Sequence, residues 1–153
     1  KLTDEWFTAI AESETNNRTI FISGRCHIDE FKESGKFPFR VEVTWHYSPD
    51  AKGMPDEKSA ELMENVLIAL KKAMEKDKLA ILTGIYTGDD ERNMIFYTRN
   101  VAAFGNKLNE ALTPFEKLAI SIYTENDPEW NEYAEMQSLN TGIEEAYESD
   151  DEL

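Results

Sequence analysis

The sequence predicts an α+β domain of ferredoxin-like (split βαβ) type: an antiparallel sheet with two helices on one face, an added N-terminal β-hairpin and a C-terminal helix. Three observations lead there. The segment FPFRVEVTWHY, Phe37 to Tyr47, alternates apolar and polar residues with the period of a strand. The segment DEKSAELMENVLIALKKAMEKDK carries Met63, Val66, Leu67, Leu70, Ala73 and Met74 at helical spacing. From Phe37 onward the elements then run strand, helix, strand, strand, helix, strand, the succession of a split βαβ sheet.

Taken in order, EWFTAIAE (Glu5 to Glu12) and TIFISGR (Thr19 to Arg25) are rich in β-branched and aromatic residues. They flank a polar TNNR link, so they read as a hairpin. CHIDEFKESGK, Cys26 to Lys36, lacks a sustained period and reads as a loop with a short helical turn around Asp29 to Lys32. In the alternating strand Phe39, Val41, Val43, Trp45 and Tyr47 point one way, and Arg40, Glu42, Thr44 and His46 the other. The loop SPDAKGMP leads to a helix from about Pro55 to Lys76. Pro55 suits a first turn, where its missing N–H costs nothing, and Asp56 and Glu57 complement the positive end of the helix dipole.

LAILTGIYT, Leu79 to Thr87, is apolar on both faces and reads as a covered strand. The leading hairpin is expected beside it, because such a strand makes a poor exposed edge. Gly88 to Glu91 has turn composition, and NMIFYTR is the antiparallel partner. Asn100 caps a helix striped by Val101, Phe104, Leu108, Ala111 and Leu112, and Pro114 stops it. LAISIYT, Leu118 to Thr124, is the last strand. Asp127-Pro128 opens a terminal helix carrying Trp130, Tyr133 and Met136. The reading is one domain over residues 1–140 and an acidic tail over 141–153, with no internal repeat.

Charge narrows the partners. Sixteen basic against 31 acidic side chains give a formal net charge of -15, a field that opposes phosphate backbones and anionic lipid surfaces. Neither nucleic acid nor membrane is expected as a partner. Removing the six acids of the tail would still leave a strongly acidic body, so body and tail together suit a basic protein surface. A lone Cys26 excludes an internal disulfide and points to a reducing, cytoplasmic setting. The chain opens at Lys1 rather than Met, which keeps removal of a preceding segment, and secretion, as open alternatives.

Signatures of catalysis are missing. Two separated histidines and one cysteine give no zinc spacing, no segment has calcium-loop alternation, and no glycine-rich phosphate loop or nucleophile elbow occurs. No metal or cofactor is expected. His27 beside Cys26 invites a thiol–imidazole reading, but neighbouring residues on a strand or loop point apart. What remains is the polar face of the sheet. Arg40, Glu42, Thr44 and His46, joined by Tyr97, Arg99 and Tyr123 from neighbouring strands, make a candidate site for a small anion or for acid–base work. The alternative for the same residues is ordinary cross-strand pairing on a half-exposed face.

The phrases WFTAIAE, ISGRCHIDEFKESGKFPFRVEVTWHY, GMPDEKSAELME, KLAILTGIYTGDDERNMIFYTRN and FGNKLNEAL together resemble the bacterial domain-of-unknown-function family 695, from Trp6 to about Trp130. Some members of that family resemble fusions to a domain similar to a protein inhibitor of ribonuclease E. The resemblance therefore implies a regulatory setting and brings no catalytic residues. The leading expectation is a noncatalytic protein-interaction or regulatory module. The alternative is a small-molecule (anion) binding protein or enzyme that uses the polar sheet face.

Overall fold

The computed structural model describes residues 2–47 and 52–140. The acidic stretch 141–153 lies outside the described residues. Six strands form one antiparallel sheet: β1 (Glu5–Glu12), β2 (Thr19–Cys26), β3 (Phe39–His46), β4 (Ala80–Gly88), β5 (Glu91–Thr98) and β6 (Ile120–Asn126). Their order across the sheet is β1-β2-β4-β5-β3-β6. The described helices are α1 (Asp29–Glu33), α2 (Glu57–Lys76), α3 (Val101–Leu112) and α4 (131–140).

Local signals set most boundaries. The Asp56 side chain accepts from the Ser59 amide at 2.7 Å and caps α2, while the Asn100 side chain accepts from the Ala103 amide at 2.8 Å and caps α3. β4 and β5 join through Asp89 and Asp90, with φ of 53° and 70°. Two consecutive left-handed residues in a two-residue loop match the right-handed twist of the strands they connect, and Asp tolerates that conformation better than most residues. As expected, the leading hairpin borders β4, through the β2–β4 pairing of Phe21 to Gly24 with Gly84 to Thr87.

β4 is apolar on both faces because both faces are covered, and because it contains a bulge. Leu82 pairs Phe96 and Gly84 pairs Ile95, leaving Thr83 as an extra residue. The insertion rephases the alternation, so Leu82 and Ile85, three residues apart, both lie against the layer containing α2 and α3. That layer buries Met63, Val66, Leu70 and Met74 of α2 and Phe104 and Leu108 of α3 on Val41, Val43, Trp45 and Phe96. A second apolar layer occupies the other face, where Trp130, Tyr133 and Met136 join Phe7, Ile22, Ile81, Ile95 and Tyr97. The sheet is therefore covered by helices on both sides. The face that sequence alternation presents as polar is closed at one end by α4.

Two close approaches fix the hairpin and α4. The Phe7 ring crosses its cross-strand partner Gly24, where a Cβ would meet Phe7 Cε2 at 2.1 Å. At Gly84, beside the bulge, a Cβ would stand 2.6 Å from the Met136 sulfur. Neither site admits a side chain without displacing its neighbour.

Gly24→Ala is expected to lower stability by about 1–3 kcal/mol, the usual cost of forcing atoms into a packed contact. The readout is a lower urea midpoint with an unchanged slope. An unchanged midpoint would mean that Phe7 is free to swing aside.

Candidate functional site

On the polar face, register brings some of the sequence-selected residues together and separates others. Arg40 pairs Tyr97 on one side and Glu125 on the other, and Glu42 pairs Ile95 and Tyr123. Thr44 and His46 lie further along β3, opposite Asn93 and Glu91. Arg99 follows the end of β5. Its guanidinium sits 5.0 Å over the Phe37 ring while its Nε donates to the Lys78 carbonyl at 2.8 Å. Arg40 and Arg99 thus do not converge on one anion.

Arg40 is the electrostatic centre of this face. Its Nη1 lies 3.2 Å from a Glu42 carboxylate oxygen and 3.4 Å from one of Glu125. Burial pulls the guanidinium pKa down, but Glu42, Tyr97 and Glu125 outweigh it and the net shift is upward. The buried Nε has no hydrogen-bond partner. Around it, a cavity of about 330 Å3 is lined by Arg40, Glu42, Tyr86, Asp89, Glu91, Asn93 and Glu132, with Ile20, Gly88 and Ile95. One cation thus faces four carboxylates. The Glu132 carboxyl is held above its ordinary value chiefly by desolvation; the pull of Arg40 opposes this, and repulsion from Glu135, Glu125 and Asp127 adds to it.

The remaining selected residues have structural partners. Thr44 donates to Asn93 Oδ1 at 2.6 Å, and the Tyr123 hydroxyl lies 3.4 Å from Glu125. His46 is exposed, with Nδ1 3.7 Å from Glu91. Tyr97 donates its hydroxyl to Asp127 at 2.7 Å and stacks on Trp130 at a centroid distance of 4.4 Å. Burial, reinforced by the Asp127 carboxylate, pushes the Tyr97 phenol far above its usual range. At neutral pH it stays protonated and serves as a hydrogen-bond post. Asp127 also accepts from the amides of Asn131 and Glu132, at 2.9 and 3.0 Å, and so fastens the first turn of α4 to β5.

Cys26 and His27 do not form a nucleophile–base pair. His27 adopts φ 60° and turns Nε2 towards Glu5, 3.3 Å away, while the Cys26 sulfur lies near the Gly24 carbonyl and the Asn140 amide. Asp89 is engaged by Asn16 and Ser13, and Asp90 by Arg18. Among the described residues no group of three or more His, Cys, Asp or Glu side chains is placed to hold a metal ion. No described helix is long and apolar enough to cross a membrane.

Arg25, which sequence reasoning passed over, is the most densely engaged polar side chain of the described structure. It is 1% exposed. Nη1 meets Glu75 at 2.7 Å and donates to the Leu82 carbonyl at 3.0 Å, and Nε donates to the Thr3 carbonyl at 2.9 Å. Its guanidinium lies 5.3 Å from the centre of the Trp6 ring. An arginine in a strand whose other residues are uncharged, with an acid near the end of the long helix α2, was the only sequence signal of this pair.

A family model described as "Family of unknown function (DUF695)" matches residues 4–136. No curated protein and no solved structure matches the chain.

The raised carboxyl of Glu132 has a defined pH signature. Because its folded value exceeds the ordinary 4.5, the native state binds that proton more tightly than the unfolded chain. Its contribution to stability is complete below the unfolded value and declines as pH rises through the folded one. Glu132→Gln should therefore gain thermal stability relative to the parent as pH rises through that window. The gain should then level off near neutrality, in melting curves taken from pH 4 to about 8. A pH-independent difference would contradict a raised carboxyl at Glu132.

Proposed function

The chain belongs to the DUF695 family, and we propose that it is a noncatalytic, regulatory protein-interaction module of the bacterial cytoplasm that binds a basic surface on another protein. The observation that carries this reading is the acid-lined cavity on the polar sheet face. There Arg40 is already paired with Glu42 and Glu125, and Asp89, Glu91 and Glu132 add further negative charge. A lysine or arginine from a partner entering that cavity would meet more carboxylates than Arg40 alone neutralises, an electrostatic gain available only on binding. The net charge of -15 would steer a basic partner towards the module.

The strand order β4-β5-β3-β6, with α2 following β3 and α3 following β5, supports a ferredoxin-like reading of the chain from Phe39 onward. The hairpin then extends the β4 edge, and α4 is added on the face opposite α2 and α3. Arg40, Glu42, Glu91 and Asn93 stand on paired strands, which gives this role a rigid base, while Asp89 comes from the β4–β5 turn and Glu132 from α4.

The alternative, a small anion held on the same face, has one observation in its favour, the partnerless buried Nε of Arg40. Against it stand the carboxylates around that arginine and the engagement of Arg99 with Phe37 and the Lys78 carbonyl. An anion would meet more repulsion than attraction there.

Capture from a bacterial lysate on the immobilised chain should recover a specific basic protein at low salt and release it as salt is raised. The triple variant Glu42→Gln, Glu91→Gln, Glu132→Gln should weaken that binding about tenfold, because each half-exposed pair contributes less than about 1 kcal/mol. Recovery that is indifferent to both salt and the triple variant would refute the proposal.

A further inference from the structure

The helix layer leaves part of the sheet uncovered. α2 lies beside β4, and no described helix covers the β1–β2 hairpin on that side. The result is a groove of about 780 Å3 between α2 and the hairpin, with Trp6, Leu67, Leu82 and Ile85 as its apolar lining and Ile68 on its rim. The volume lies within the range of small-molecule sites, and its apolar strip is bordered by charged side chains, most of them gathered at one end.

Those charged groups are unlike the rest of the molecule. Residues four apart on a helix share a face, so Glu64, Ile68, Lys72 and Lys76 form the outer wall, and Leu67, Lys71 and Glu75 the inner one. The end of the groove nearest the C-terminus of α2 thus gathers Lys71, Lys72 and Lys76. Arg25 lies behind them, and Asp4 and Glu75 supply the nearby negative charge. At this end three lysines stand against Asp4 and Glu75, with Glu64 further along the groove, in a chain of net charge -15. Asp4 and Glu75 are already engaged: Asp4 by Lys71 at 3.3 Å and by the Trp6 indole at 2.8 Å, Glu75 by Arg25 at 2.7 Å. The Trp6 hydrogen bond, followed by Lys71 and Arg25, holds the Asp4 carboxyl below its ordinary value despite some burial. Among the described residues, Lys72 and Lys76 have no carboxylate partner.

We propose that the groove between α2 and the β1–β2 hairpin binds a single-chain anionic amphiphile of the fatty-acid class. The head group pairs with Lys72 and Lys76. The alkyl chain lies along Ile68, Leu67 and Ile85 towards Trp6. The negative head complements the local cationic surplus, and the chain removes from water an apolar strip that the helix layer leaves open. This site is separate from the acid-lined cavity, and neither proposal depends on the other.

The test is amide and indole NMR of the full chain titrated with sodium dodecanoate below its micellar concentration. Dodecyltrimethylammonium and dodecyl maltoside serve as cationic and neutral controls. Saturable shifts are expected at the Trp6 indole and at residues 64–76, with the two controls binding at least tenfold more weakly. Lys72→Glu with Lys76→Glu, two exposed positions that leave the core intact, should weaken dodecanoate at least tenfold. Ile68→Glu, which charges the apolar wall instead, should weaken all three chains. The assignment is overturned by the absence of saturable shifts, by shifts centred elsewhere, or by undiminished affinity in the double lysine variant. Equal binding of the cationic or neutral chain also overturns it, and would reduce the groove to an unselective apolar surface.

Discussion

One buried cation holds the architecture together. The Arg25 side chain reaches Glu75 of α2, the carbonyl of Leu82 at the β4 bulge and the carbonyl of Thr3 before β1. Glu75 closes the circuit by accepting the Leu82 amide at 3.0 Å. The carbonyl of the same arginine accepts from the Tyr133 hydroxyl and from Gln137 of α4, both at 2.6 Å. A guanidinium this deep is tolerable only when each of its groups is paired, and removing one partner of such a pair typically costs about 3–5 kcal/mol. Helix, bulge, hairpin and terminal helix therefore share one polar junction.

That junction explains why the sheet has two different faces of interest. Burial of Trp130, Tyr133 and Met136, each worth about 2 kcal/mol, docks α4 on one face, and the Asp127 carboxylate locks its first turn to Tyr97. The rest of that face stays polar and rich in acid. On the opposite face α2 and α3 cover the centre of the sheet, and the hairpin side remains apolar with a basic rim. The two surfaces differ in charge and in chemistry.

Legibility followed the range of the interactions. The alternation of Val41, Val43 and Trp45, the stripe of Met63, Val66, Leu70 and Met74, and the cap at Asn100 are local patterns that stand where the sequence placed them, whereas Pro55, expected in the first turn of α2, precedes the helix, which Asp56 caps. The placement of the hairpin beside β4 was also readable, because a strand apolar on both faces needs a neighbour. What stayed hidden was non-local. The bulge at Thr83 changes which residues share a face without leaving a mark in composition. Arg99 alternates correctly with Tyr97 but lies past the strand end, where stacking on Phe37 draws it away from Arg40. The Arg25–Glu75 pair joins residues fifty positions apart, and no period in a single sequence couples them.

Arg25 couples the two sides of the sheet, and a double-mutant cycle measures that coupling directly. Glu75→Gln loosens the junction from the α2 side, and Tyr133→Phe loosens it from the α4 side. The stability of both single variants and of the double variant is read from urea unfolding. The two losses should be non-additive, with a coupling above about 0.5 kcal/mol, as for residues joined through a shared partner. Losses that add to within about 0.3 kcal/mol would show two independent attachments and contradict the central role of Arg25.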